Sequence, residues 1–154
     1  MGSLSHVSPR SQPERFPTRA HEPAYWINAY NALVLKGVVD GYPVSRVDEL
    51  GGLDAFFRQR TSLVGGEYLT LAQLENEIIR PQYQNPRMHF ALNCAALSCP
   101  PLLNHAFTAE GLDSLLDAQT RSFAADPRQV RFDLAGNKLY LSRLLPWYAE
   151  DPVK

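Results

Sequence analysis

Apolar residues occupy almost every turn of the stretch Ala24–Val39, with Asn28, Asn31 and Lys36 as its clearly polar positions. That pattern predicts a helix that is apolar on nearly all sides and therefore central to the fold. Pro23 fits its first turn, where a missing N–H leaves no bond unmade, and Asp40-Gly41 followed by Tyr42-Pro43 is its stop. Asn28 and Asn31 are three apart and share a face. Two amides on a buried helix need hydrogen-bond partners. They are expected either to cap neighbouring loops or to line a pocket and orient a catalytic group.

Downstream the pattern becomes shorter-ranged. Arg46–Leu50 reads as a turn-helix, Gly51-Gly52 breaks it, and a second short helix runs through Phe56-Phe57. Thr61–Val64 and Glu67–Thr70 flank Gly65-Gly66, a hairpin signal because glycine tolerates the positive φ of tight hairpin turns. Thr70-Leu-Ala-Gln73 is a capping box opening a helix whose Leu71, Leu74, Ile78 and Ile79 form one apolar stripe. At ~100° per residue Glu75 falls inside that stripe, whereas Gln73 and Glu77 point away from it. Glu75 is therefore expected to be at least partly buried and to have a partner. That partner is either a structural one, Arg80 or Arg87, or a histidine that Glu75 orients. Arg80-Pro81 is expected to end the helix, since the residue before proline avoids the α region.

Phe90–Cys94 is short, apolar and bounded by Pro-rich segments, and reads as a buried strand, with a helical turn left open by its Ala and Leu content. Thr108 is expected to cap a helix with Leu112, Leu115, Leu116 and Phe123 on one face, ending near Asp126-Pro127. Gln129–Asp133 and Lys138–Leu141 alternate around a turn, predicting a second hairpin with one buried face. Leu144–Tyr148 is a last short element. The whole is expected to be a small α+β domain over 24–151, with a buried central helix, short antiparallel hairpins and a strand carrying the His/Cys stretch. Residues 1–23, rich in Ser, Pro, Arg and His, read as a mobile lead-in.

Bulk properties remove several function classes. A net charge of −1, a pI near 6.4 and scattered arginines give no basic footprint for nucleic acid. No apolar run approaches the ~18–20 residues of a bilayer span. The N-terminus lacks the apolar core of a secretory signal, so the chain as given is expected to be cytoplasmic, or exported if a leader precedes it. No cofactor motif is recognised, and substrate and oligomeric state are not legible.

The chemistry concentrates in Met88–Leu102, which holds both cysteines of the chain, Cys94 and Cys99, one of its four histidines, His89, and Asn93. Three chemistries are open. A thiolate nucleophile needs a histidine to activate it and a carboxylate or amide to orient that histidine. Glu75, His89, and Cys94 or Cys99 supply these, with Asn28 and Asn31 as amides. On a regular strand His89 and Cys94 would lie roughly 16 Å apart on opposite faces, which favours Cys99, in its irregular loop, as the nucleophile. A zinc site would use His89, Cys94, Cys99 and His105, at gaps looser than structural zinc sites usually show. A Cys94–Cys99 disulfide is geometrically accessible across the loop.

Trp26-Ile-Asn-Ala-Tyr-Asn-Ala32, Leu74-Glu-Asn-Glu-Ile-Ile-Arg80, His89-Phe-Ala-Leu-Asn-Cys94 and Ser98-Cys-Pro-Pro101 resemble the bacterial and plant family called Domain of Unknown Function 547. Leu139–Leu144 and Trp147-Tyr148 are similar to its C-terminal motif. The resemblance implies an α+β domain with a cysteine-hydrolase-like constellation of Glu75, His89 and one of Cys94 or Cys99. Set against the family, the chain as given is expected to be short of most of the helical segment usually preceding the Trp26 motif, and carries Pro23 where an apolar helical residue is usual. The resulting expectation is a thiol-dependent hydrolase-like domain acting on a peptide or other acyl substrate, with Trp26, Asn28, Asn31 and Asn93 supporting the pocket. The alternative is a non-enzymatic protein-interaction module in which the same residues form a polar core.

Overall fold

A computed structural model describes residues 16–149; 1–15, 150–154 and the side chain of Trp147 lie outside the described residues. Most of the expected lead-in, and the end of the expected domain, fall there. Helix α1 spans His21–Asp40, with Pro23 in its first turn. Its first half is central, burying Trp26, Ile27, Tyr30 and Val34, but Leu35 and Val39 emerge to the surface, so the all-round burial expected of it stops about halfway. A 3-10 turn (Val47–Leu50) and a π-helical turn (Ala55–Gln59) follow. The second presses Phe56 against Gly37 of α1, where a Cβ would lie 2.7 Å from the ring.

Strands β1 (Thr61–Val64) and β2 (Glu67–Thr70) pair antiparallel, with Thr61 opposite Thr70 and Val64 opposite Glu67. The turn takes φ of 60° at Gly65 and 88° at Gly66, the conformation that the Gly-Gly pair predicts. Thr70 and Gln73 form the capping box reciprocally. The helix they open is composite: α2 (Leu71–Gln73), a π-helical segment (Leu74–Ile79), then α3 (Arg80–Tyr83). It does not end at Arg80-Pro81. Arg80 stays helical, and its N–H reaches back five residues to the carbonyl of Glu75. The widened turn relieves the clash a proline ring makes with a regular α-helix, so the chain passes through Pro81.

The strand expected at 90–94 is not formed. Pro86–Phe90 is a 3-10 turn and 91–101 is irregular loop. The Ala and Leu content of this stretch does not favour extended backbone, and its backbone bonds go to side chains rather than to a neighbouring strand. Helix α4 (Leu112–Ala125) buries Leu112, Leu116 and Phe123 as expected. Thr108 caps the turn before it, accepting from Gly111 N–H at 3.3 Å, and not the helix itself.

Strands β3 (Val130–Asp133) and β4 (Lys138–Leu141) make the second hairpin in the expected place, Val130 opposite Leu141. Its expected buried face is absent: Phe132, Leu139, Tyr140 and Leu141 are all exposed. A short α5 (Leu144–Trp147) follows. Two separate two-stranded sheets beside packed helices make this a small α+β fold. No helix among the described residues is long and apolar enough to cross a membrane.

Candidate functional site

One cleft of about 440 Å³ gathers residues from six parts of the chain. Tyr30 comes from α1, Glu75 from the π-helical segment, His89 from the 3-10 turn, Cys94 and Cys99 from the loop after it, and Tyr148 from the end of α5. Leu53 and Phe57, from the segment around the π-helical turn at Ala55–Gln59, complete the lining. Glu75 and His89 thus share one cavity with both sulfurs. The strand-based separation of His89 and Cys94 does not arise, because a 3-10 turn and an irregular loop fold both onto the same space.

Glu75 is half-buried, as its place in the apolar stripe requires, but its partners are neither arginine named from the sequence. Tyr30 donates its hydroxyl to Oε2 at 3.3 Å, and the hydroxyl of Tyr148 donates to Oε1. Burial, then the charge of Glu75, pushes the Tyr30 phenol well above its ordinary range, so it stays a neutral donor. Arg87 turns the other way and binds Asp113 and Asp117, each at 2.5 Å, fastening the 3-10 turn to α4. Arg80 lies over the Tyr148 ring, 5.0 Å from its centroid, and donates to Asn76 at 2.7 Å.

His89 is buried, 5% exposed, and its ring stacks on Tyr148 with centroids 3.6 Å apart and planes 12° from parallel. Glu75 is therefore linked to His89 through a tyrosine, whose hydroxyl holds the carboxylate while its ring covers the imidazole. Tyr30 and Tyr148 stand in the family motifs, but neither spacing nor periodicity distinguished them as site residues. Tyr30 sat in an apolar helix as apparent core, and Tyr148 lies 73 residues from Glu75.

Cys94 and Cys99 are joined in a disulfide, with Cα atoms 6.0 Å apart. In this form neither sulfur is a thiolate, and neither is available to the zinc set proposed with His105, which is itself exposed and bonded to its neighbour's backbone. Cys99 is buried at 6% exposure and Cys94 is half-buried. Cys94, and not the Cys99 favoured from the sequence, is therefore the more open of the two.

The asparagines brace the loop rather than line the cleft. Asn31 donates to the Ala91 carbonyl at 2.8 Å and accepts from the Asn93 N–H at 2.9 Å. Asn93 in turn donates to the Pro100 carbonyl at 2.7 Å and accepts from Ala95 N–H at 2.8 Å, closing the base of the bridged loop. Asn28 makes a matching pair with the backbone of Phe107, at 2.8 and 2.9 Å. Both α1 amides are thus committed to backbone, and neither holds Glu75. Side chains of Gln119, Gln129 and Ser142 bind the carbonyls of Pro101, Leu97 and Ser98 at 3.1, 3.0 and 3.1 Å. The loop's position rests on these bonds as well as on the disulfide. Trp26 is core, 3% exposed, packed under the Gly65 turn.

No curated protein and no solved structure matches the chain. The sequence profile of the family described as "Protein of unknown function, DUF547" matches residues 14–124, a span that includes Glu75, His89 and both cysteines but not Tyr148. The chain belongs to that family.

Proposed function

We propose that the cleft is the active site of a thiol-dependent hydrolase-like domain that works on a peptide or other acyl substrate once the Cys94–Cys99 bridge is reduced. The observation that carries this is the meeting of Glu75, His89 and both sulfurs in one cavity from separate chain segments. An external dithiol supplies two electrons and two protons to the bridge, and is itself oxidised to a disulfide. Cys94, the more accessible sulfur, loses its proton to His89 and attacks the substrate carbonyl. The amine or alcohol leaves with the proton His89 returns to it, and water then hydrolyses the thioester. Glu75 acts on His89 through Tyr148. The bonds from Asn93, Gln119, Gln129 and Ser142 to the loop support its staying in place when the bridge opens.

The test is turnover of an activated acyl ester and of a peptide amide before and after reduction, with iodoacetamide labelling followed by mass. The expected outcome is activity only after reduction, abolished in Cys94→Ser and lowered about 10²–10⁴-fold in His89→Ala. Turnover by reduced protein no greater than that of the Cys94→Ser/Cys99→Ser double variant, or labelling of Cys94 unchanged by His89→Ala, would overturn it. The bridge itself favours the second reading, a non-enzymatic interaction module. On that reading both Cys→Ser changes lower stability and no turnover is found at any redox state.

A further inference from the structure

The lining of the cleft carries a carboxylate, Glu75, with no described arginine or lysine on it. Glu75 accepts from two phenols, Tyr30 and Tyr148. Among the described residues it takes part in no ion pair. The other ionisable groups of the lining, phenols aside, are His89, stacked on the ring of Tyr148, and Asp54 and Arg58, which face each other at 3.6 Å, exposed, and largely cancel. Arg80, the next cation, is held by Asn76 over the Tyr148 ring and does not line the cleft. The rest of the lining includes the apolar side chains of Leu53, Phe57, Leu92 and Leu144. The cavity volume lies in the range of about 300–1,000 Å³ usual for small-molecule sites.

A carboxylate against apolar walls attracts a cation more strongly than one in open water, because fewer solvent dipoles screen it. The walls in turn favour an apolar group beside that cation. We infer that the cleft binds a primary ammonium carried on an apolar group, with the ammonium at Glu75 and the apolar group against Leu53, Phe57 and Leu144. An anion would meet Glu75 in repulsion, and a neutral amide would leave it without its counter-charge. The binding step stands on the cleft alone. Its catalytic use, which rests on the hydrolase proposal, makes the substrate a peptide or ester with a free amino terminus and an apolar first residue.

The experiment uses oxidised protein, in which no thiol is present, so binding and turnover fail separately. Leucinamide, N-acetyl-leucinamide and 4-methylpentanoate are titrated by calorimetry and by ¹H–¹⁵N shift mapping. Leucinamide is expected to bind at least tenfold more tightly than either of the others, with shifts centred on Leu53, Phe57 and Glu75. Glu75→Gln, which keeps an acceptor for one of the two phenols and offers its NH2 to the other, is expected to erase that preference while the protein stays folded. Equal binding of the three compounds, no binding of leucinamide, or wild-type shifts mapping elsewhere would overturn the inference. So would a preference that survives in folded Glu75→Gln. Should Glu75→Gln fail to fold, the three-ligand comparison and the shift map on wild-type protein decide the matter alone.

Discussion

Asn31 is the residue on which the geometry of the bridged loop turns. Its amide makes two bonds to the backbone on either side of Leu92, and Asn93 carries the connection on to Pro100. Asn31 is 8% exposed, so removing its amide leaves the Ala91 carbonyl and the Asn93 N–H with little water to replace it. Asn31→Ala is therefore expected to lower stability by about 2–3 kcal/mol in urea unfolding. Faster hydrogen exchange confined to 91–95 should accompany it; a loss below 0.5 kcal/mol would mean the loop is held without it. Asn31→Asp keeps the acceptor for Asn93 but turns a carboxylate oxygen toward the Ala91 carbonyl, and should cost at least as much as Asn31→Ala. That these amides had partners was legible from their place on an apolar helix. Which partners they had was not, since Ala91 and Phe107 lie 60 and 79 residues away.

At the level of elements, the contact between α1 and the π-helical turn at Ala55–Gln59 depends on one glycine. A Cβ at Gly37 would sit 2.7 and 2.9 Å from two atoms of the Phe56 ring, and Phe56 is 1% exposed, so the ring has nowhere to swing. Helix propensity alone would make Gly37→Ala stabilising by about 1 kcal/mol. The clash decides the sign: Gly37→Ala is expected to destabilise by about 1–3 kcal/mol overall. The double change Gly37→Ala/Phe56→Leu should recover part of that loss, and strict additivity of the two in chemical unfolding would show that the contact does not matter. The helices and hairpins were readable because each depends on neighbours in sequence: the Thr70–Gln73 capping box, the Gly65-Gly66 turn, the apolar stripe from Leu71 to Ile79. Two readings failed where that condition lapsed. Phe90–Cys94 looked like a strand because it is short and apolar, but a strand needs a partner, and here the backbone is satisfied by side chains of distant residues. The second hairpin alternates, yet the described residues leave Phe132, Leu139 and Leu141 exposed, since alternation orders two faces without saying that either is covered.

For the molecule as a whole, the His89 turn is tied to α4 by Arg87 with Asp113 and Asp117. Hydrogen bonding from Arg87 holds the Asp117 carboxyl below its ordinary range, and Arg128 does the same for Asp126. A carboxyl whose pKa is lowered by folding contributes stability above its unfolded value, about 4, that is lost as pH falls through the folded value. Thermal unfolding followed from pH 6 down to pH 2 should steepen below about pH 4, and Asp117→Asn should make that limb shallower. Superimposable limbs for wild type and Asp117→Asn would show that the pair carries no such linkage.

Helix and turn positions, the burial of Glu75, and the candidacy of His89 and the two cysteines follow from spacing along the chain, because propensity, capping and amphipathic periodicity act over a few residues. The company these groups keep does not. Tyr148 came to stand between Glu75 and His89, and Cys94 rather than Cys99 to be the more open sulfur, through packing of elements up to 73 residues apart. Contacts of that range leave no period in the sequence, so only the folded chain discloses them.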